Sequence, residues 1–295
     1  MKEKTLGECI NSLSKAGFES FYCQGTRACF DVVARREREL YILKVLENID
    51  GLTQSQASEL QKIAYMFGAR ALVVGEHTKT EKLAEGVLYE RLGIPCLSPR
   101  AFSRMIECGE LPGARKLNVL TINVDGKALA RARGKAGLSL EELSKKTGVS
   151  KDTIYRYEHE RVKGTENNIK KIEEVLRASI RKELDPFSEQ LGVVDEKTAL
   201  SFVGFESVRT HSAPFQVIGK KKESLLAGEN SDRRTMKKRA VIYKSIDEVM
   251  HSSSCFLVEQ SATDSISGVP VVRRSELDEI KRPKKLLKLL EERSE

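Results

Sequence analysis

The chain has 295 residues, with 51 Lys and Arg against 43 Asp and Glu, a formal charge of +8. That length accommodates two or three packed cores, and the basic balance favours polyanionic partners without specifying a fold. Cys9, Cys23, Cys29, Cys96, Cys108 and Cys255 form no C-x-x-C pair and keep no ordered spacing with the histidines, no secretory leader heads the chain, and no apolar run reaches membrane-spanning length. The sequence therefore predicts a cytoplasmic protein with no metal, no cofactor and no membrane contact.

Residues 1–112 alternate helical and extended patterns. Leu6 to Ala16 has helical apolar spacing, and Phe30 to Ala34 and Leu40 to Leu46 read as strands. Gln54 to Phe67 is a second amphipathic helix. Short buried strands follow at Ala71 to Val74 and Ile94 to Leu97, then a helix from Ala101 to Glu107. This mixture predicts an α/β layered unit. Arg115 to Val124 alternates partially and ends at Asp125-Gly126, as a strand or hairpin would.

From Leu138 to Glu158 the signals become dense and local. Ser139 followed by Glu142 has the S-x-x-E form of a capping box. Gly148 falls where a helix exit favours positive φ, Val149 plugs the turn, and Ser150 can cap the next helix. Ile154 and Tyr157 point inward, leaving Lys151, Asp152, Tyr155 and Arg156 outward at the start of that helix. Residues 124–177 hold 13 Lys and Arg against 9 Asp and Glu, a mild excess of +4 suited to phosphate contacts.

This segment resembles the lambda-repressor and Cro class of helix-turn-helix domains. Leu129 and Arg133, Gly137-Leu138-Ser139, Gly148-Val149-Ser150, Thr153-Ile154 and Tyr157-Glu158 fall in register with it. The resemblance implies that Lys151, Asp152 and Arg156 read base edges and that Arg133 pairs with Glu158. Lys145, Ser150 and Thr153 would contact the DNA backbone, with Lys135 as a further candidate. Leu140 stands where many members have a phosphate-binding glutamine, so anchoring must come from those other groups.

Residues 183–295 repeat the order of the first 112. Gly17-Phe18-Glu19-Ser20 recurs as Gly204-Phe205-Glu206-Ser207, and Phe30-Asp31-Val32-Val33 as Phe215-Gln216-Val217-Ile218. Leu72-Val73-Val74 is echoed by Phe256-Leu257-Val258, and Gly93-Ile94-Pro95 by Gly268-Val269-Pro270. The predicted organisation is an α/β unit at 1–112, a linker strand at 113–124, an all-α helix-turn-helix module at 125–182 and a second, divergent α/β copy at 183–295. Lys220 to Lys222 and the run Arg233-Arg234, Lys237-Lys238-Arg239 are basic clusters, readable either as a phosphate-binding face or as a solvated loop. A closing amphipathic helix is predicted over Glu276 to Arg293.

The first copy resembles the restriction-endonuclease-like fold, in particular archaeal Holliday-junction resolvases. The likeness rests on Glu8, Gly17-Phe18, the strand with Asp31 and the strand with Lys44. That chemistry needs an Asp, then Glu-x-Lys, to hold a divalent metal and activate water. Ile42 stands two before Lys44, and the second copy has Gln216 for the Asp and Leu226-Ala227-Gly228-Glu229 on the aligned strand. Both sites read as degenerate, with Asp31 and Lys44 either paired as remnants or facing solvent. The whole chain resembles an archaeal family of helix-turn-helix transcriptional regulators. It is therefore expected to be a sequence-specific double-stranded-DNA-binding regulator and not an enzyme, acting as a homodimer. A junction-processing nuclease with a helix-turn-helix targeting arm is the alternative.

Overall fold

The computed structural model describes residues 2–23, 28–116, 120–182, 186–187, 197–229 and 232–294. The first third contains α1 (Lys2–Lys15), β1 (Glu19–Tyr22), β2 (Val32–Arg36), β3 (Glu39–Asn48), α2 (Gln54–Phe67), β4 (Arg70–His77), β5 (Val87–Arg91), β6 (Ile94–Leu97) and α3 (Pro99–Cys108). β3, β4 and β6 run parallel, and β1, β2 and β5 pair antiparallel around them. The central strand β3 is buried on both faces: Tyr41, Leu43 and Val45 meet α1 and α3, while Leu40 and Ile42 meet α2. That explains its apolar run, interrupted only at Lys44, as expected of a strand covered by helices on both sides. Gln54 to Phe67 is helical as read, held by a Thr53–Gln56 capping box and ended by Gly68 at φ +61. β1 and β5 escaped the sequence reading, being short and only partly apolar.

The segment before the module forms a hairpin, β7 (Ala114–Lys116) and β8 (Leu120–Thr121), which extends the first sheet to eight strands in the order β1-β2-β3-β4-β6-β5-β7-β8. Residues 117–119 of that stretch lie outside the described residues. Four helices follow: α4 (Gly126–Lys135), α5 (Leu140–Thr147), α6 (Lys151–Glu158) and α7 (Glu166–Leu176). Bridges Ile122↔Gly164 and Val124↔Arg181 tie the chain leaving the hairpin to the α6–α7 loop and to the segment after α7. Ala114 at the sheet edge shares a core cluster with Ile122, Val124 and Leu129, so the module packs on from the end of the first sheet.

The last part contains β9 (Glu206–Arg209), β10 (Val217–Lys220), β11 (Ser224–Glu229), α8 (Arg233–Met250), β12 (Ser252–Val258), β13 (Ser265–Ile266), β14 (Val269–Arg273), α9 (Arg274–Glu279) and α10 (Pro283–Arg293). Its sheet order, β13-β14-β12-β11-β10-β9, reproduces that of the first six strands in space and direction. The likeness reaches single hydrogen bonds. Asp31 N donates to Leu43 O and Gln216 N to Ala227 O; Val45 N donates to Asp31 Oδ2 (2.8 Å) and Glu229 N to Gln216 Oε1 (3.0 Å). Leu92-Gly93 and Ser267-Gly268 make the same turn, with φ of +55 and +75 against +52 and +74. Pairing corrects one sequence match by a residue: Leu43 lies beside Leu72 and Ala227 beside Cys255, so Phe256 corresponds to Val73, not to Leu72. A run of apolar residues without polar markers lets register slip by one.

The closing helix is two helices. Pro283 lacks an N–H and disfavours helix at the preceding residue, so the chain breaks after Glu279 and Pro283 opens α10. Arg293 returns across the break to Glu276 (2.6 Å), and Leu277, Leu286 and Leu290 still pack on the second sheet. Of the six cysteines, Cys108 alone is exposed; burial pushes the thiols of Cys9, Cys29, Cys96 and Cys255 up to about 12.

The two copies pack on each other by reciprocal contacts. α2 lies against β10, and α8 lies against β1 and β2. Arg35 on β2 donates to the carbonyls of Val249 (2.6 Å) and Met250 (3.0 Å) at the C-terminal end of α8. The residue at the matching position of the second copy, Lys220, donates to Tyr65 O (3.2 Å) at the C-terminal end of α2. A cation at a helix C-terminus complements its partial negative charge. Buried Glu59 accepts from the backbone N–H groups of His211 and Ser212, closing the interface.

One half-buried acid makes the second copy pH-sensitive. Asp247 on α8 accepts from Ser252 Oγ (2.6 Å), yet burial outweighs that bond and lifts its carboxyl from 3.8 to about 7. The folded chain thus holds the proton more tightly than the unfolded one. The stability it contributes is complete below pH 4 and is lost as pH rises from about 4 to about 7, by up to ~1.4 kcal/mol per pH unit. Asp247→Asn should abolish that slope, so its thermal stability relative to the native chain should climb over this window and then level. A pH-independent difference between the two would refute the assignment.

Candidate nucleic-acid interface

The α5–turn–α6 unit is assembled from short-range bonds. Ser139 Oγ accepts from Glu142 N (3.2 Å) and Glu142 accepts from Ser139 N (2.8 Å), completing the capping box. Those bonds hold the Glu142 carboxyl below its ordinary range. Gly148 turns the chain at φ +69, Thr147 Oγ1 donates to Leu143 O, and buried Val149 fills the corner. Ser150 Oγ caps α6 by accepting from Thr153 N (3.1 Å). Leu129, Leu143, Ile154, Tyr157, Ile169 and Ile172 form the core beneath.

Arg133 crosses from α4 to α6. Its Nε and Nη2 meet Glu158 Oε1 and Oε2 at 2.6 and 3.1 Å, and Nη1 donates to Leu138 O. Glu158 raises the Arg133 pKa through that hydrogen bond. The fork fixes both helices and the loop between α4 and α5 at once. Beside it, Gly126 allows the start of α4 to touch the end of α6: a Cβ there would stand 2.2 Å from the Glu158 carbonyl oxygen.

Lys151, Asp152, Tyr155 and Arg156 are exposed along α6, with Lys145 and Ser150 exposed nearby and Thr153 half-buried. Arg156 lies 3.7 Å from Asp152, and Lys145 3.2 Å from Glu141, both as solvent-exposed i,i+4 pairs. Such pairs contribute little and can be exchanged for a phosphate or a base edge at small cost. Ser150 and Thr153 share one hydroxyl–hydroxyl bond of 2.7 Å, so one of their two protons is left to donate outward. Leu140, in place of the glutamine, is half-buried against the core. Sequence reasoning passed over His159, whose ring packs tilted against Tyr155 with centroids 4.0 Å apart, and Arg161, whose guanidinium lies 5.6 Å from the centre of the same Tyr155 ring. The i,i+4 spacing of Tyr155 and His159 was the available signal.

The first copy holds Asp31 in a closed set of partners. Lys2 Nζ donates to Oδ1 (2.9 Å), Val45 N donates to Oδ2, and Lys44 Nζ lies 3.4 Å from Oδ2 while donating to Ala28 O. Ile42 is fully buried in the α2 core, and Glu8 is exposed beside Lys4. In the second copy Gln216 Oε1 accepts from Glu229 N and Arg239, and Gly228 replaces the lysine, with the Tyr243 hydroxyl 2.5 Å from where a Cβ would stand. A divalent metal needs several anionic or carbonyl oxygens converging on one point. One carboxylate already neutralised by two lysines does not fit it. Among the described residues no group of three or more His, Cys, Asp or Glu is placed to hold a metal ion.

Residues 2–112 match the PD-(D/E)XK superfamily domain, and residues 129–182 match the helix-turn-helix family. A protein of Methanothermobacter thermautotrophicus is 33% identical over 302 residues, covering 99% of this chain and 97% of its own. One of Methanobrevibacter smithii is 30% identical, covering 100% and 98%, and one of Pyrococcus horikoshii is 32% identical, covering 94% of each. Each carries the name "Putative HTH-type transcriptional regulatory protein". The chain belongs to this archaeal family of HTH-type transcriptional regulatory proteins. No solved structure matches it. The family is one in which a helix-turn-helix follows a nuclease-like α/β unit, and among the described residues no helix is long and apolar enough to cross a membrane.

Proposed function

We propose that this chain is a sequence-specific regulator that binds double-stranded DNA through α6 and uses its two α/β copies as a scaffold without hydrolytic activity. The observation that carries the reading is the exposed outer face of α6, presented by a helix whose position is fixed by the Arg133–Glu158 fork. Lys151, Asp152 and Arg156 read bases; Lys145, Ser150 and Thr153 set the backbone register. Arg suits guanine and Asp suits the amino group of cytosine in the major groove. Lys151→Ala and Arg156→Ala should each weaken specific binding by about 1–3 kcal/mol. Lys145→Ala should weaken all sequences alike and lower the salt slope by about one ion. Site selection from random duplexes, followed by salt-titrated binding, measures both; unchanged binding in all three variants would overturn the placement of the DNA face.

The PD-(D/E)XK match over residues 2–112 supports a second reading, a junction-processing nuclease targeted by the module. Incubating the chain with duplex and branched DNA and Mg²⁺ separates the two, and the scaffold reading expects no cleavage. One recognition helix reads only a few base pairs, so we place two chains on related half-sites about 10 base pairs, or a multiple, apart. The faces by which the α/β copies meet are occupied within one chain, so that pairing must use another surface.

A further inference from the structure

The basic run of the second copy is a helix, not a solvated loop. Arg233, Arg234, Lys237, Lys238 and Lys244 are all exposed on α8. Among the described residues none of the five side chains has an ion-pair or hydrogen-bond partner, whereas Arg239 turns in to Gln216 (3.0 Å). With 3.6 residues per turn the five lie within an arc of about 140°, spread over about 16 Å of helix. Met236, Ala240, Tyr243, Ile246, Val249 and Met250 on the other side are buried, so the helix cannot rotate its charges away from solvent.

The fold itself does not require this charge. The equivalent helix of the first copy, α2, carries a single lysine, Lys62, which is spent on Glu59 and the Arg209 carbonyl. Like charges at i,i+4, as in Arg233–Lys237 and Arg234–Lys238, weaken a helix. A stripe that costs stability, is absent from the sister helix and, although Glu248 shares its arc, makes no ion pair among the described residues is suited to a polyanion outside the chain.

We propose that α8 is a second, sequence-independent contact surface for the phosphate backbone of duplex DNA. Its 16 Å length spans about five nucleotide steps of 3.4 Å along one strand. The choice of duplex DNA as the polyanion rests on the function proposed for α6. An anionic membrane suits the stripe less well, because Val241 is the one large apolar residue exposed on α8 and offers little to insert.

The test compares three forms of the full chain on a short random-sequence duplex titrated with salt: native, an α8 variant (Arg233→Gln, Arg234→Gln, Lys237→Gln, Lys238→Gln) and an α6 variant (Lys151→Ala, Arg156→Ala). At about 0.9 released ions per phosphate contact, the α8 variant should lower the slope of log K against log salt by about three to four without altering the sequence preferred in site selection. The α6 variant should relax that preference and keep most of the slope. Arg233→Lys with Arg234→Lys should behave as native, separating charge from folding. A native slope in the α8 variant, with binding lost in the α6 variant, overturns the α8 proposal and leaves the α6 reading standing. Native chain that binds no duplex at low salt overturns both. Binding to anionic vesicles or single-stranded RNA in preference to duplex, lost in the α8 variant, also overturns it.

Discussion

Arg133→Ala should destabilise the helical module by about 3–5 kcal/mol, because it strands the Glu158 carboxylate, whose side chain is 8% exposed, without a counter-charge. Glu158→Ala should cost less, about 1.5–3 kcal/mol, since Arg133 is 21% exposed and keeps its bond to Leu138 O. The double variant should cost less than the sum, because the second substitution removes the group that the first left unpaired. A chain of several packed units does not unfold as one two-state body. The measurement is therefore amide hydrogen exchange in α4 to α6, with the three variants arranged as a cycle. Additive effects would mean that the fork contributes no coupling.

Gly126→Ala should be as damaging, by about 3 kcal/mol or more. The added Cβ would stand 2.2 Å from Glu158 O and 2.7 Å from Glu158 C, and both are backbone atoms with no rotamer to escape into. α4 must lift from α6, which also pulls Arg133 off Glu158. Exchange protection should fall in α4 and α6 together while β3 and β11 keep theirs. Protection lost in α4 alone would place the strain elsewhere. At Gly134, by contrast, a Cβ meets nothing within 4 Å, and Gly134→Ala at this exposed position in the last turn of α4 should be neutral or stabilising.

What could be read from the sequence was what is local. The capping box at Ser139, the left-handed exit at Gly148 and the cap at Ser150 each lie within a few residues of the bond they make, and the structure has all three. The helix over Gln54 to Phe67 was legible for the same reason. The break at Pro283 was equally local and was overridden by the apolar spacing on either side of it. The closure of Asp31 by Lys2 had no such signal, since the two lie 29 apart in sequence and nothing in the first helix marks that lysine. Nor did any pattern announce that Arg35 would cap α8 from more than two hundred residues away. Periodicity says which face of an element is apolar; it does not say which other element will cover it.

Joining the two α/β copies in one chain removes a constraint that binds symmetric assemblies. In a homodimer every substitution appears twice, at positions related by the two-fold axis. Here Arg35 and Lys220 perform the same task with different chemistry, Lys44 is matched by Gly228 at the equivalent position of the sister copy, and a neutral α2 is the counterpart of a basic α8. On the roles proposed for α6 and α8, this asymmetric charge distribution would let the particle meet a DNA duplex in one preferred orientation, before any base is read.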